Sequence, residues 1–162
     1  MLLHTTSKFK LLVPTRCGTT SFCKFFGYEK RPSTDAVGDW MQDDNRTDIL
    51  VLRNPVERMH SASKMSDIGS HFWFLHCNLF LKKISKKETF FYIPFQNLNE
   101  YTNRIHVNES KTLAEINSSK TVVKNKWFTQ EEFNEEREIY EYIRQTQKHL
   151  PIDVWKSLIE HK

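Results

Sequence analysis

The sequence predicts an α/β fold in which a small parallel sheet is flanked by helices. Two observations carry this prediction: residues 9–13 and 49–52 are short apolar runs, and each is followed, after a turn, by a helix start. Continuous apolar runs are typical of parallel strands that are buried on both faces. The order strand, helix, strand, helix implies parallel pairing through right-handed crossovers. We expect one domain over residues 1–162, an ordinary length for a single domain.

The first predicted helix runs from Thr19 to Phe26, directly after the first strand. Its phenylalanines recur at i, i+3 and i+4, at Phe22, Phe25 and Phe26. This spacing places the three rings on one helix face. Gly27 then supplies the left-handed conformation in which many helices end.

The second strand, over residues 49–52, leads into a well-marked helix start. Asn54 is suited to the N-cap, Pro55 to the first helical position, and Glu57 to the third position of a capping box. Between the two units, residues 28–48 are polar and contain a proline and a glycine. We expect a long connection there, with a short strand inside it, and long connections are often functional.

The second half of the chain shows weaker signals of the same kinds. They predict, in order, a helix over His71–Leu81, an aromatic strand over Thr89–Phe95, a last strand over Arg104–Val107, a helix from the capping box at 129–132 through His149, and a short helix beginning at Pro151. Pro94 lacks an N–H group, which favours an edge position for its strand.

Composition excludes several classes of protein. The net charge of +4 and the pI near 8.9 favour anionic ligands but are too small to indicate nucleic acid as a partner. The three cysteines form no CxxC pair, so neither a disulfide framework nor a metal site is indicated. No apolar run approaches the roughly 18 residues of a membrane span. We therefore expect a cytoplasmic protein with no membrane span.

The segment between the first strand and the first helix has the composition of an anion-binding loop. Gly18 allows positive φ and close approach of the backbone to a ligand. Hydroxyl donors follow at Thr19, Thr20 and Ser21, and Arg16 adds a permanent charge. The helix N-terminus favours a negative ligand. The Gly-Lys-Ser/Thr ending of the nucleoside-triphosphate loop is missing, which disfavours a nucleotide hydrolase or kinase.

A second anion site is indicated where the second strand meets its helix. Arg53 follows the strand, and Ser61 lies in the second turn of the helix. Arg58 belongs to the same segment, either as a ligand contact or as a structural partner of Glu57 or a later acidic residue. Two such sites on one small domain indicate a ligand that is phosphorylated in two places.

Together the two segments resemble a known pair of signatures. Pro-x-Arg-x-Gly-Thr-Thr over 14–20 and Arg-Asn-Pro-x-x-Arg-x-x-Ser over 53–61, each after a strand, resemble the motifs of sulfotransferases that use 3′-phosphoadenosine 5′-phosphosulfate (PAPS). Weaker likenesses follow at 95–98, similar to a strand-end Phe-Glu-Asp-Leu, and at 106–110, similar to a His-x-Asn-x-Ser of carbohydrate-directed members. The resemblance implies the P-loop-nucleotide-binding-like sulfotransferase fold.

The resemblance also implies roles for individual residues. The 5′-phosphosulfate would be held by the segment Arg16, Cys17, Gly18, Thr19, Thr20 and Ser21, and the 3′-phosphate by Arg53 and Ser61. Adenine would stack on an aromatic side chain, for which Trp127 and Phe128 are candidates. The reaction would be in-line transfer of the sulfuryl group from PAPS to an acceptor hydroxyl. The other product would be 3′-phosphoadenosine 5′-phosphate (PAP), and no metal ion would be needed.

Arg16 stands where many members of the family have lysine. Arginine keeps its proton, so Arg16 would act as a fixed cationic donor to the leaving oxygen rather than as a proton source. Tyrosine-directed and some bacterial sugar-directed sulfotransferases resemble this chain in having arginine there. Arg16 is therefore predicted as a catalytic residue.

The general base and the acceptor are less well marked. Asp39, beside Trp40, and His71 are the predicted bases, with Glu29, Asp35, His60 and His76 as alternatives. A short chain leaves an open cleft, which favours a large hydroxyl-bearing acceptor such as a carbohydrate, and lysine pairs at 82–83 and 86–87 suit an acidic one. Two other functions stay open: a catalytically inactive nucleotide-binding module of this fold, and a nucleotide kinase-like protein.

Overall fold

The architecture comes from a computed structural model that describes residues 1–14, 17–29, 36–63, 77–102 and 130–160. The strands of these residues form one sheet in the order of the chain: β1 (Leu2–Thr5), β2 (Phe9–Val13), β3 (Thr47–Leu52), β4 (Phe91–Pro94) and β5 (Lys148–His149). β1 is antiparallel to β2, and the pairs β2–β3, β3–β4 and β4–β5 are parallel. The α/β class and the mostly parallel sheet are thus confirmed.

Helices cover both faces of this sheet. In the described ranges they are α1 (Thr19–Phe26), α2 (Ala36–Met41), α3 (Pro55–Ser63), α4 (Cys77–Ile84), α5 (Leu98–Thr102), α6 (Gln130–Thr146) and α7 (Ile152–Glu160), with a 3₁₀ turn at Phe95–Asn97 before α5. None of them combines the length and the apolar character that crossing a membrane requires. The cytoplasmic location stays a prediction.

Alternation along the central strands divides the core into two layers. Leu11, Val13, Ile49 and Val51 point to one face, where they pack with α1, α5 and α7. Leu12, Leu50 and Leu52 point to the other face, under α2, α4 and α6. Such two-sided burial explains the continuous apolar runs over 11–13 and 49–52.

Trp155 of α7 is the centre of the first layer. Its ring lies between 5.6 and 6.3 Å, centroid to centroid, from the rings of Phe9, Phe22, Phe25, Phe26 and Tyr101. Its indole N–H donates to the backbone oxygen of Tyr101 at 2.9 Å. α7 therefore packs against α1, although more than a hundred residues separate the two helices in the sequence.

A buried ionic cluster closes the amino-terminal end of the parallel strands. Lys10 of β2 is fully buried, and its Nζ lies 3.1 Å from Oδ1 of Asp48 and donates to the backbone oxygen of Trp40 at 3.0 Å. Lys87 approaches the same carboxylate at 2.7 Å and the same carbonyl at 2.7 Å. Pairing with carboxylates and carbonyls offsets the cost of burying the ammonium group of Lys10.

The first two strand–helix units match their predictions closely. β2 and α1 have the predicted bounds, and Gly27 ends α1 with φ 78°. β3 extends the predicted strand by two residues, and α3 begins at Pro55, with Oδ1 of Asn54 accepting from the N–H of Val56 at 2.9 Å. The side-chain cap at Asn54 is confirmed.

The short strand expected within 28–48 is wrong for residues 36–41, which form α2. Ala36, Val37 and Trp40 are buried, and the indole N–H of Trp40 donates to the backbone oxygen of Ile49 at 3.1 Å. A helix of this length spans too few residues for hydrophobic periodicity to separate it from a strand. Tertiary packing by Trp40 decides the conformation.

The predicted end of the helix that follows 129–132 is wrong. α6 ends at Thr146, and Lys148–His149 pair with Phe91 and Tyr92 as β5. The side chain of Gln147 reinforces this edge by accepting from the N–H of Phe90 at 2.9 Å. A two-residue strand leaves no alternation in the sequence by which it could be recognised.

The edge position expected for the aromatic strand is also wrong, because β4 lies between β3 and β5. Pro94 is tolerated because it ends β4, beyond the two residues that pair with β5. β1 was not predicted; its Leu3 pairs with Leu12 at the edge of the sheet. The start of the helix predicted over His71–Leu81 and the strand over Arg104–Val107 lie outside the described residues, and α4 extends to Ile84.

Candidate anion-binding site

The site is built where three neighbouring parallel strands end. β2, β3 and β4 are adjacent and parallel, so the segments that follow them emerge at the same edge of the sheet. These segments begin, respectively, with the loop that leads to Gly18, with Arg53 and with Phe95. In open parallel sheets this carboxyl edge is where ligands bind.

Gly18 shapes the first segment. It caps α1 in the left-handed conformation, with φ 96° and ψ 23°. Its oxygen accepts from the N–H of Phe22 at 3.1 Å, and the N–H of Cys17 donates to the oxygen of Pro14 at 3.0 Å. The first turn of α1 contains no acidic residue, so the positive end of its dipole is not compensated within the helix.

A side chain at position 18 would require Leu98 to move. A Cβ built there would lie 2.5 Å from Cδ2 of Leu98 and 3.6 Å from Cε2 of Phe95. Leu98 is fully buried and begins α5, so it has little room to withdraw. Both the positive φ and the close approach of the third segment therefore require glycine.

Arg53 extends from the end of β3 over the third segment. Its Cζ lies 3.9 Å from the centroid of the Phe95 ring, and both side chains are partly buried. This distance is that of a guanidinium group in face contact with a benzene ring. Phe95 therefore contacts Arg53 after β3 and lies close to Gly18 in the loop after β2.

Arg58 has a structural partner. Its Nε and Nη2 donate to Oε1 and Oε2 of Glu136 on α6, each at 2.6 Å, and both side chains are 1% exposed. This paired geometry is the strongest form of arginine–carboxylate contact. The structural alternative, with a later acidic residue as partner, is the one that the structure supports.

The remaining predicted phosphate ligands differ in exposure. Thr20 is exposed, Ser21 is partly buried, and Thr19 is buried with its hydroxyl 3.5 Å from the oxygen of Pro14. Ser61 is 2% exposed and lies one turn after Arg58 on the same side of α3. Thr20 and Ser21 are therefore the more accessible hydroxyls of the first segment.

Cys17 is held as a neutral thiol. Burial raises its pKa to about 11, although the positive charges of Arg58 and Arg53 act in the opposite direction. A thiol with this pKa carries almost no thiolate at neutral pH, so Cys17 is not a nucleophile there. Its part in ligand binding stays a prediction, because Cys17 is buried and its N–H already donates to the oxygen of Pro14.

The predicted general base Asp39 does not join this cluster. It is exposed on α2 and precedes Trp40, whose carbonyl meets Lys10 and Lys87 at the amino-terminal end of the sheet. The other candidates that lie outside the described residues are Arg16, Asp35, His71, His76, Trp127 and Phe128.

Three residues make contacts at the site that the sequence does not predict: Phe95, Leu98 and Glu136. The likeness over 95–98 drew attention to Phe95 and Leu98 but not to their contacts with Gly18 and Arg53. Glu136 lies among other acidic residues of an amphipathic helix, and nothing in its local sequence distinguishes it.

Comparison with protein-family models, with curated proteins and with solved structures finds no match to this chain. The function is therefore inferred from the motifs and from the geometry of the carboxyl edge.

Proposed function

We propose that this protein is a PAPS-dependent sulfotransferase that acts on an acceptor hydroxyl. The observation that carries the proposal is the convergence of the Gly18 loop and Arg53, on adjacent parallel strands, at one aromatic ring. A ligand with phosphates at the 5′ and 3′ positions of one ribose requires two anion sites side by side. The resemblance of both segments to the family motifs supports the same assignment.

The 5′ site is formed by the start of α1. The left-handed turn at Gly18 sets the direction of the loop at the start of α1, and Leu98 fills the space that a side chain of residue 18 would occupy. Thr20 and Ser21 add hydroxyl donors, and the dipole of α1 favours the negative charge of a phosphate. Arg16, assigned by the motif, supplies a fixed positive charge.

The 3′ site centres on Arg53. A guanidinium group binds phosphate through paired N–H donors, and here its face is already supported by Phe95. The motif assigns Ser61 to the same phosphate. Because Ser61 is 2% exposed, we expect Arg53 to contribute most of the discrimination for a 3′-phosphate.

When bound, PAPS supplies the sulfuryl group, which passes to the acceptor oxygen while the acceptor proton is released to a base and PAP leaves. The chain's own contribution is to hold the nucleotide and to stabilise negative charge near α1, the electrostatic form of catalysis. The location of Asp39 at the other end of the sheet disfavours it as the base. We propose a hydroxyl-bearing acceptor, with carbohydrate as the first class to test.

Calorimetric titration tests the nucleotide site. We expect the wild type to bind PAP more tightly than adenosine 5′-monophosphate (AMP), and Arg53→Ala to weaken PAP binding about 10- to 100-fold, the value of a hydrogen-bonded charge contact. Arg46→Ala is the matched control, because Arg46 pairs with Asp44 before β3, at the opposite end of the sheet. Equal binding of PAP and AMP by the wild type would refute the proposal.

Turnover separates the proposal from its alternatives. Release of PAP from PAPS that depends on a carbohydrate or other hydroxyl acceptor would support the enzyme. Tight PAP binding without turnover on any acceptor would indicate a nucleotide-binding module. Magnesium-dependent binding of a nucleoside triphosphate, without a preference for PAP, would indicate a kinase-like protein.

A further inference from the structure

We infer that Phe95 is a positioning residue that holds Arg53 ready for the 3′-phosphate and so sets the preference for 3′-phosphorylated nucleotides. This inference rests on the proposed function. It adds to that function a specificity role for a residue outside both phosphate-binding motifs. The observation behind it is the 3.9 Å separation between Cζ of Arg53 and the centroid of the Phe95 ring.

Phe95 is itself fixed by the backbone on both sides. Pro94, with φ −66°, ends β4 in an extended conformation, and the N–H of Leu98 donates to the oxygen of Phe95 to close the 3₁₀ turn. Leu98 then anchors α5 in the core. The ring therefore projects from a rigid turn, the kind of support that orders a functional side chain.

Stacking on an aromatic face orders arginine without using its donors. The N–H groups of a guanidinium lie in its plane, so a ring beneath that plane does not itself occupy them. A free arginine loses much rotamer freedom when it binds an anion, and a ring that already holds it removes part of this cost. The contact with Phe95 is expected to raise affinity for the 3′-phosphate without touching the ligand.

Phe95 also links the two halves of the site. Its Cε2 is 3.6 Å from the position of a Cβ on Gly18, while its face meets Arg53. The ring consequently fixes the cation of the 3′ site relative to the loop of the 5′ site. Such spacing suits a ligand whose two phosphates are held at a set distance by one ribose.

The test is a double-mutant cycle measured by calorimetry with PAP and AMP as probes. The variants are Phe95→Leu, Arg53→Ala and the double variant, with Phe95→Tyr as the control that keeps the ring. We expect Phe95→Leu to weaken PAP binding about tenfold, AMP binding less than about twofold, and PAP binding not at all when Arg53 is already alanine. Phe95→Tyr should bind both probes as the wild type does.

Each outcome bears on one claim. If Phe95→Leu weakens PAP and AMP equally, or adds its full effect in the Arg53→Ala background, the positioning role is refuted while the PAP preference of the wild type still supports the proposed function. If the wild type itself shows no preference for PAP, the proposed function fails and the positioning role fails with it. Thermal melting checks folding, and Phe95→Met, of similar volume but without a ring, replaces Phe95→Leu if that variant does not melt cooperatively.

Discussion

Gly18→Ala is the most informative single change in this protein, because two separate penalties act at one position. An alanine there must adopt φ 96°, and its Cβ must displace Cδ2 of Leu98, which would lie 2.5 Å away. Gly27, the cap at the other end of the same helix, offers a matched control. It also has a positive φ, 78°, but a Cβ there would meet nothing within 4 Å.

The magnitudes follow from these two environments. A left-handed conformation costs alanine about 1–2 kcal/mol, and forcing an extra methyl group into a packed core costs about 1–3 kcal/mol more. We therefore expect Gly27→Ala to lower the free energy of unfolding by about 1–2 kcal/mol and Gly18→Ala by about 2–5 kcal/mol. The lower entropy of the unfolded alanine chain offsets part of each value.

Urea denaturation followed by circular dichroism measures both free energies of unfolding, provided that the m-values of the variants agree. Combining Gly18→Ala with Leu98→Ala isolates the clash, because the smaller side chain makes room for the new Cβ. The two changes should then cost less together than the sum of their separate effects. Equal destabilisation by Gly18→Ala and Gly27→Ala would refute the predicted clash, because it would mean that Leu98 does not restrict a side chain at position 18.

Two further predictions concern the buried ionisable groups near the site. Glu136→Gln breaks the buried pair with Arg58 and should lower the free energy of unfolding by about 3–5 kcal/mol. Glu135→Gln, whose partner Lys82 is 62% exposed, should lower it by less than about 1 kcal/mol. Similar losses in urea denaturation would contradict this distinction. Burial raises the pKa of Cys17 from 9.0 to about 11, so its neutral form stabilises the folded state fully below pH 9 and this contribution is lost as the pH rises through 11. Comparing the pH dependence of stability of the wild type and Cys17→Ala should show an extra loss of about 2–3 kcal/mol in the wild type between these pH values, and parallel curves would count against the buried thiol.

The first half of the fold is predictable because its signals are local. The apolar run before Arg53, the cap at Asn54 and the glycine after α1 each act within a few residues, and the structure reproduces each of them. By contrast, β5 exists only because Lys148 and His149 meet β4, and α2 depends on the insertion of Trp40 beside β3. Contacts between distant segments leave no periodic trace in so few residues.

The same division applies to the site. Gly18 and Arg53 were identified from motifs, and the parallel pairing of β2 with β3 explains why they share an edge. The contacts of Phe95 and Glu136 were not predictable, because each joins residues far apart in the chain through side-chain packing. Asp39 was favoured for its position in a long polar connection, but the direction of α2 carries it toward the other end of the sheet.

The packing of Trp155 has a consequence for the order in which the protein is made. The helix that begins after Gly18 packs against Trp155, which emerges from the ribosome more than a hundred residues after Gly18. Until then, the phenylalanines of α1 have no cover from α7 and remain available to chaperones. A nascent chain that already contains every residue of both motifs would still lack the packing of Trp155 against α1, so the proposed nucleotide site would not be supported by α7 until Trp155 has been synthesised.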